Sequence, residues 1–174
     1  MKDYILTDRL ILRRFKESDY DDLYMFLYEL KDDIFECYKD ITYENTKKYL
    51  SERMTDEYYA IELRKNHKVI GNISFINRSY NSKEIGFIVS KEYQRNGFAS
   101  EAINTIKEEA FLNGIHRIYS ECDPLNLASW KTLEKAGFKK EAHLLKNIYF
   151  HFDEHNMPIW KDTYIYAILN ENEI

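Results

Sequence analysis

Tyr93-Gln94-Arg95-Asn96-Gly97-Phe98-Ala99-Ser100-Glu101-Ala102 joins an apolar, strand-like run, Glu84 to Val89, to a helical pattern that continues to Asn113. A bare turn that feeds a helix start is a ready-made anion site. The first N–H groups of the helix lack partners, and the aligned peptide dipoles add partial positive charge. Gly97 keeps a side chain out of the way, so a ligand can approach the main chain closely. The stretch predicts a strand–turn–helix unit that binds something phosphorylated.

Two familiar phosphate loops do not fit. A P-loop requires Lys-Ser or Lys-Thr after a glycine run, and none is present. A dinucleotide fingerprint requires three glycines in Gly-x-Gly-x-x-Gly spacing, whereas this turn has Gly97 alone. What remains is Gln94-x-x-Gly97-x-Ala99 between strand and helix. That pattern resembles the acetyl-CoA pyrophosphate loop of the GNAT superfamily of N-acetyltransferases. Asn126-Leu127-Ala128-Ser129, with Glu134-Lys135-Ala136-Gly137-Phe138 after it, resembles the family's second signature. Thr7 to Arg13 and Trp160 to Tyr164 are similar to the first and last strands of the branch that holds ribosomal-protein (RimJ/RimL-like) N-acetyltransferases.

Periodicity gives a compatible path. Arg9 to Phe15 reads as a strand. Ser18 is placed to cap a helix whose Leu23, Phe26, Leu27 and Leu30 fall at i, i+3, i+4 and i+7. Thr42 is placed to cap a second helix, to about Met54. Tyr59, Ile61 and Leu63 alternate with polar residues like a half-buried strand, and Val69 to Ile76 continues an antiparallel meander. Ile85, Phe87, Ile88 and Val89 form a run expected of a strand buried on both faces. Ala99, Ala102, Ile103, Ile106 and Ala110 share one helix face, with Gly114 to end it. A strand at 117–122, a helix through Leu127, Trp130 and Leu133, and strands near 138–150 and 160–169 follow. Strand, helix, strand implies a parallel pair. The expectation is a mixed α/β (α+β) domain over residues 1–174. The resemblance makes this a GNAT fold: a central, mostly antiparallel sheet with a splayed parallel pair, flanked by about four helices.

Composition is consistent with this reading. Of 174 residues, 44% are hydrophobic and 32% charged, as in a soluble globular domain. No apolar run reaches spanning length and the start lacks a secretory pattern, so no membrane partner is expected. Two cysteines, Cys37 and Cys122, make no disulfide framework, which points to the cytoplasm. A net charge of −5 argues against a nucleic-acid partner. His151 and His155 lie in a polar hairpin without a nearby cysteine, so no metal is expected there. A homodimer is compatible with this reading and is not specified by it.

The resemblance implies acetyl-CoA as cosubstrate and a set of site residues. Backbone groups of Ile88, Val89 and Ser90 would pair with the pantetheine arm like an added strand, with the Val89 N–H as oxyanion donor. Gln94, Arg95, Asn96, Gly97, Phe98, Ala99 and Ser100 would form the pyrophosphate loop, and the Arg95 guanidinium has two readings, a charged phosphate contact and a solvated loop charge. Asn126 has two readings, a pantetheine contact and a helix N-cap. The tyrosine acid of much of the superfamily corresponds to Leu133, which cannot donate. Ser129 matches the serine that protonates or orients the sulfur in the ribosomal-protein branch and is the acid the resemblance implies, the alternative being a helix serine bonded back to its own main chain. Glu84, at the start of the central strand, is the base the resemblance implies, directly or through water, the alternative being a strand-edge charge. Ile148 stands where the branch carries a late-strand glutamate.

Those substitutions bear on the acceptor. Deprotonating a lysine at pH 7 costs about 4.6 kcal/mol, against about 1 kcal/mol for an α-amine. The expected acceptor is a peptide N-terminus or small-molecule amine, docking between the 31–41 connector and the last strands. The alternative from another class is a non-catalytic acyl-CoA-binding or sensing domain.

Overall fold

A computed structural model describes residues 1–35 and 38–171, so Cys37 lies outside the described residues. Eight strands form one sheet: β1 (Tyr4–Leu6), β2 (Leu10–Arg13), β3 (Tyr58–Leu63), β4 (Val69–Arg78), β5 (Ser82–Val89), β6 (Arg117–Cys122), β7 (Lys139–Phe152) and β8 (Pro158–Leu169). Their order is β1-β2-β3-β4-β5-β6-β8-β7, antiparallel throughout except for the parallel pair β5 and β6. The helices are α1 (Tyr20–Glu29), α2 (Thr46–Arg53), α3 (Phe98–Leu112) and α4 (Leu127–Lys135). None of them is long and apolar enough to cross a membrane. The mixed architecture and its parallel pair match the expectation; β1, three residues long, is too short to show in the sequence.

Two apolar clusters form, one with each helix pair. Leu23, Phe26 and Leu27 of α1 pack with Leu50 of α2 and Ala60 of β3. Ala102, Ile103, Ile106 and Ala110 of α3 pack with Leu133 of α4 and with Leu10, Leu12, Ile61 and Ile85 from the strands. Each fully buried Leu, Ile or Phe contributes about 1.5–3 kcal/mol. The i, i+3, i+4 spacing therefore decides which side of each helix faces the sheet.

Several local expectations are corrected. Ser18 is exposed and does not cap α1. Asp19 pins that entry instead, accepting from the Lys16 N–H at 2.9 Å and binding the Arg13 guanidinium at 2.7 and 2.8 Å. α2 begins four residues after Thr42, whose carbonyl accepts from Thr46 Oγ1 at 2.8 Å. β3 is buried on both faces, because Arg13 neutralises the one charge it buries, Glu62. In β5, by contrast, only Ile85 and Val89 are buried. Its next strand turns away, and that departure creates the site.

Candidate active site

β5 and β6 pair at Ser82↔Arg117, Lys83↔Ile118 and Glu84↔Tyr119, and there the ladder stops. Both strands run on, to Val89 and Cys122, so a wedge opens between them. On its other edge β5 stays bound to β4: the Ser90 N–H donates to the Ile70 carbonyl at 2.8 Å, and Ile88 faces Asn72. Strand alternation then aims the Val89 N–H into the wedge. Gly71 makes the close β4 approach possible, since a Cβ there would lie 2.1 Å from the Ile88 carbonyl oxygen. Ile88 and Ser90 therefore have their N–H groups directed to β4, and Val89 is the residue of the three whose N–H faces the gap.

The turn after β5 is held from below. The Glu29 carboxylate accepts from Ser90 Oγ at 2.7 Å and from the Lys91 N–H at 2.9 Å. Gln94 Nε2 donates to the Val89 carbonyl at 2.9 Å, and Asn96 Nδ2 to the Gln94 carbonyl at 3.0 Å. Both side chains thus shape the loop. Arg95 and Gly97 take left-handed backbone angles, φ +60° and +80°, which turn successive N–H groups the same way. Among the described residues, no backbone N–H from Arg95 to Ser100 donates to any protein group. That array sits at the head of α3, where the helix dipole adds positive character. Arg95 is exposed and makes no ion pair among the described residues. Phe98 packs under the Arg9 guanidinium, 4.5 Å from ring centre to Cζ, so it braces the loop.

Asn126 caps α4, its Oδ1 accepting from the Ser129 N–H at 3.1 Å. Its Nδ2 makes no hydrogen bond among the described residues, which leaves that donor for a ligand. Thr105 and Thr132 hydroxyls bond back to their own helices, whereas Ser129 Oγ has no such bond. Two cavities meet around these residues. One, about 710 Å³, is lined by Val89, Gln94, Arg95, Gly97 to Ser100 and the α4 residues Lys131 and Lys135. The other, about 340 Å³, is lined by Arg53, Asn72, Glu121, Asp123, Ile148 and Lys161, among others. Phe35, Phe87, Ile88, Asn126 and Ser129 belong to both. Ser129 brings the one hydroxyl among these shared residues.

The expected base, Glu84, lies away from that junction. Its carboxylate is bound by Arg78 Nε at 2.8 Å and accepts from the Tyr119 hydroxyl at 3.2 Å, and it lines neither cavity. Glu121, two residues beyond the last paired position of β6, does line the smaller cavity. Burial raises its pKa, repulsion from Glu84 adds to the rise, and Arg78 partly offsets it. No sequence signal marks Glu121, whose place follows from where the β5–β6 ladder ends. Cys122 also lines this cavity, but burial first and then Asp123 push its thiol up to about 11, so it stays protonated. Leu133 is fully buried, a packing residue with no access to either cavity. Lys161 of β8 crosses the smaller cavity, donating to Asp123 Oδ2 at 2.9 Å and to the Ile34 carbonyl at 2.8 Å.

A strand pair that opens beside a helix-head amide array, with a hydroxyl at the junction of two cavities, defines an acyl-CoA-type transfer site. The acetyltransferase (GNAT) domain family matches residues 9–139. The chain is 31% identical over 178 residues to Uncharacterized N-acetyltransferase YnaD of Bacillus subtilis, covering 97% of this chain and 98% of that one. Its structure matches the crystal structure of a GNAT-family acetyltransferase from Bacillus anthracis with a TM-score of 0.86 and 27% identity, over 97% and 99% of the two chains. RimL, a ribosomal α-N-protein acetyltransferase in complex with coenzyme A, shares the fold at a TM-score of 0.81 and 19% identity, over 95% and 96%. The chain belongs to the GNAT acetyltransferase family, and its activity is N-acetyl transfer.

Proposed function

We propose that the protein moves the acetyl group of acetyl-CoA to a primary amine, either a protein N-terminal α-amine or a small-molecule amine, by direct attack on the thioester. The observation that carries this reading is the run of unpaired N–H groups from Arg95 to Ser100, at the mouth of a cavity that ends at Ser129. Coenzyme A carries a diphosphate, and such an array suits it. Lys131 and Lys135 add positive charge to the same cleft. The pantetheine arm lies along Val89 in the wedge, with the Asn126 Nδ2 as a further donor.

The acceptor enters the smaller cavity as an ammonium and loses its proton to Glu121, directly or through a water. Its nitrogen attacks the carbonyl carbon, and the Val89 N–H holds the oxyanion, a donor of a kind worth about 3–4 kcal/mol in the transition state. As the C–N bond completes, the C–S bond breaks, Ser129 Oγ gives its proton to the departing thiolate, and the second proton of the attacking nitrogen passes through water to restore the Ser129 hydroxyl. Glu84 acts at one remove, through its charge on Glu121. An α-amine needs the least help from a single carboxylate, and the ribosomal α-N-protein acetyltransferase among the fold neighbours supports a peptide acceptor.

Two measurements test this. Calorimetry with coenzyme A should show saturable binding, and its absence overturns the reading. Thiol release from acetyl-CoA should accelerate with α-amines; acceleration by lysine side chains alone overturns the acceptor assignment.

A further inference from the structure

Arg53, the last residue of α2, is 4% exposed. Its guanidinium lies among the rings of Tyr58, Tyr38 and Tyr49, at 5.4, 5.9 and 6.0 Å. Every hydrogen bond it makes within the described residues is to a neutral acceptor: Asn72 Oδ1 at 3.2 Å, the Tyr49 carbonyl at 3.1 Å and the Tyr38 hydroxyl at 3.0 Å. No carboxylate among the described residues reaches it. Arg13 shows the contrast. That guanidinium, similarly buried, is met by both oxygens of Asp19 and by Glu62. The described residues give Arg53 hydrogen bonds and aromatic neighbours but no counter-ion, the partner that best offsets the cost of burying a charge. A guanidinium fork with donors to spare matches a carboxylate.

Arg53 and Asn72 form one part of the wall of the smaller cavity, and Glu121 forms another. The remaining charged groups there have partners: Lys161 pairs with Asp123 at 2.9 Å, and Asp162 is hydrogen-bonded by the His143 ring at 2.8 Å and by the Lys146 N–H at 2.9 Å. Glu121 makes no hydrogen bond or ion pair among the described residues. Among the described residues, Arg53 is the cation of this lining that no carboxylate meets, and Glu121 the carboxylate that no hydrogen bond or ion pair holds. At about 340 Å³ it lies at the small end of the ~300–1,000 Å³ typical of small-molecule sites.

We infer that the acceptor is an amino-carboxylate: Arg53 holds its carboxylate while Glu121 faces its amine. This rests on the reading of the smaller cavity as the acceptor site. The carboxylate is either that of a free amino acid or an acidic side chain near the start of a peptide.

The test is thiol release from acetyl-CoA with matched acceptor pairs. One arm compares free amino acids with their amides; the other compares C-terminally amidated peptides that begin with Asp or Glu and with Asn or Gln. The wild-type protein should prefer the carboxylate member in at least one arm by about tenfold or more in kcat/KM, and that arm identifies the source. Arg53→Gln should abolish the preference mainly through acceptor KM, with acetyl-CoA KM unmoved, and Arg53→Lys should restore part of it. Equal use of acids and amides by the wild type overturns the inference whether or not any variant folds, and leaves amine acetylation standing. A preference that survives Arg53→Gln in a folded variant also overturns it. If no amine reacts at all, the acceptor-site reading falls and this inference falls with it.

Discussion

Arg9 Nη1 donates to the main-chain carbonyl of Asn96 at 2.9 Å, tying the β1–β2 connection to the turn at the head of α3. The same guanidinium reaches Glu101, whose carboxylate also accepts from the Arg9 N–H and the Thr7 hydroxyl. Burial opposes ionisation of Glu101, but the hydrogen bonds from Thr7 and Arg9 prevail and hold its carboxyl below the usual range. Arg9 thus fixes the direction in which the loop carbonyl points, and with it the opposite-facing N–H groups. Arg9→Ala should raise the KM for acetyl-CoA about tenfold and change kcat at saturation far less. Initial-rate kinetics at fixed acceptor checks this; an unchanged KM removes Arg9 from cosubstrate binding.

Gly97 has φ +80°, and a Cβ there would lie 3.4 Å from Arg9 Nη2. The left-handed angle costs a non-glycine residue about 1–2 kcal/mol. Gly97→Ala should lower Tm by about 2–8 °C, at roughly 2–4 °C per kcal/mol for a chain of this size. It should also weaken coenzyme A binding, because the side chain enters the amide array. Thermal melts with and without coenzyme A separate the two effects: the ligand-induced rise in Tm should shrink in the variant.

Ser129 is the hydroxyl shared by both cavities. Ser129→Ala should lower kcat by about 100-fold, the low end of what a positioned proton donor contributes, with little change in KM for acetyl-CoA. Single-turnover rates with a preformed acetyl-CoA complex give the chemical step directly. A loss below threefold assigns the proton to a water.

Glu121 has its pKa raised by burial and, to a lesser degree, by the Glu84 charge. A base must be ionised, so the acid limb of kcat/KM should lie above the ~4.3 of an ordinary glutamate. Glu121→Gln should remove that limb. Glu84→Gln removes a repulsive charge and releases Arg78, both of which favour ionised Glu121, so the limb should move to lower pH. A limb that moves upward in Glu84→Gln contradicts the assignment.

The parts of this molecule written in short stretches were readable before any coordinates. Gly97 after Gln94 marks the turn, and Ala102, Ile103, Ile106 and Ala110 mark the packed face of α3, because each effect spans one or two helical turns. Asn126 as a cap was readable for the same reason. Arg9 on Asn96 was not: it joins residues 87 positions apart. The burial of Glu62 was missed likewise, since its alternation with apolar neighbours reads as a wet face until Arg13 and Asp19 arrive from elsewhere. The expectation fell on Glu84 because it begins the central strand, where the resemblance places a carboxylate, and nothing in the sequence pointed to Glu121. Which carboxylate faces the cavity is decided by where the β5–β6 ladder ends, and no residue of β5 announces that. Arg53 carried no signal at all, being one cation in a polar helix.

The end of the ladder at Glu84↔Tyr119 has a kinetic consequence. The two cavities share Phe35, Phe87, Ile88, Asn126 and Ser129, so under the proposed function donor and acceptor have separate berths with a common wall. With the Cys122 thiol kept protonated by its surroundings, the described residues offer no thiolate to carry the acyl fragment between visits. Both reactants must therefore be aboard together, and double-reciprocal plots should give lines that intersect and do not run parallel.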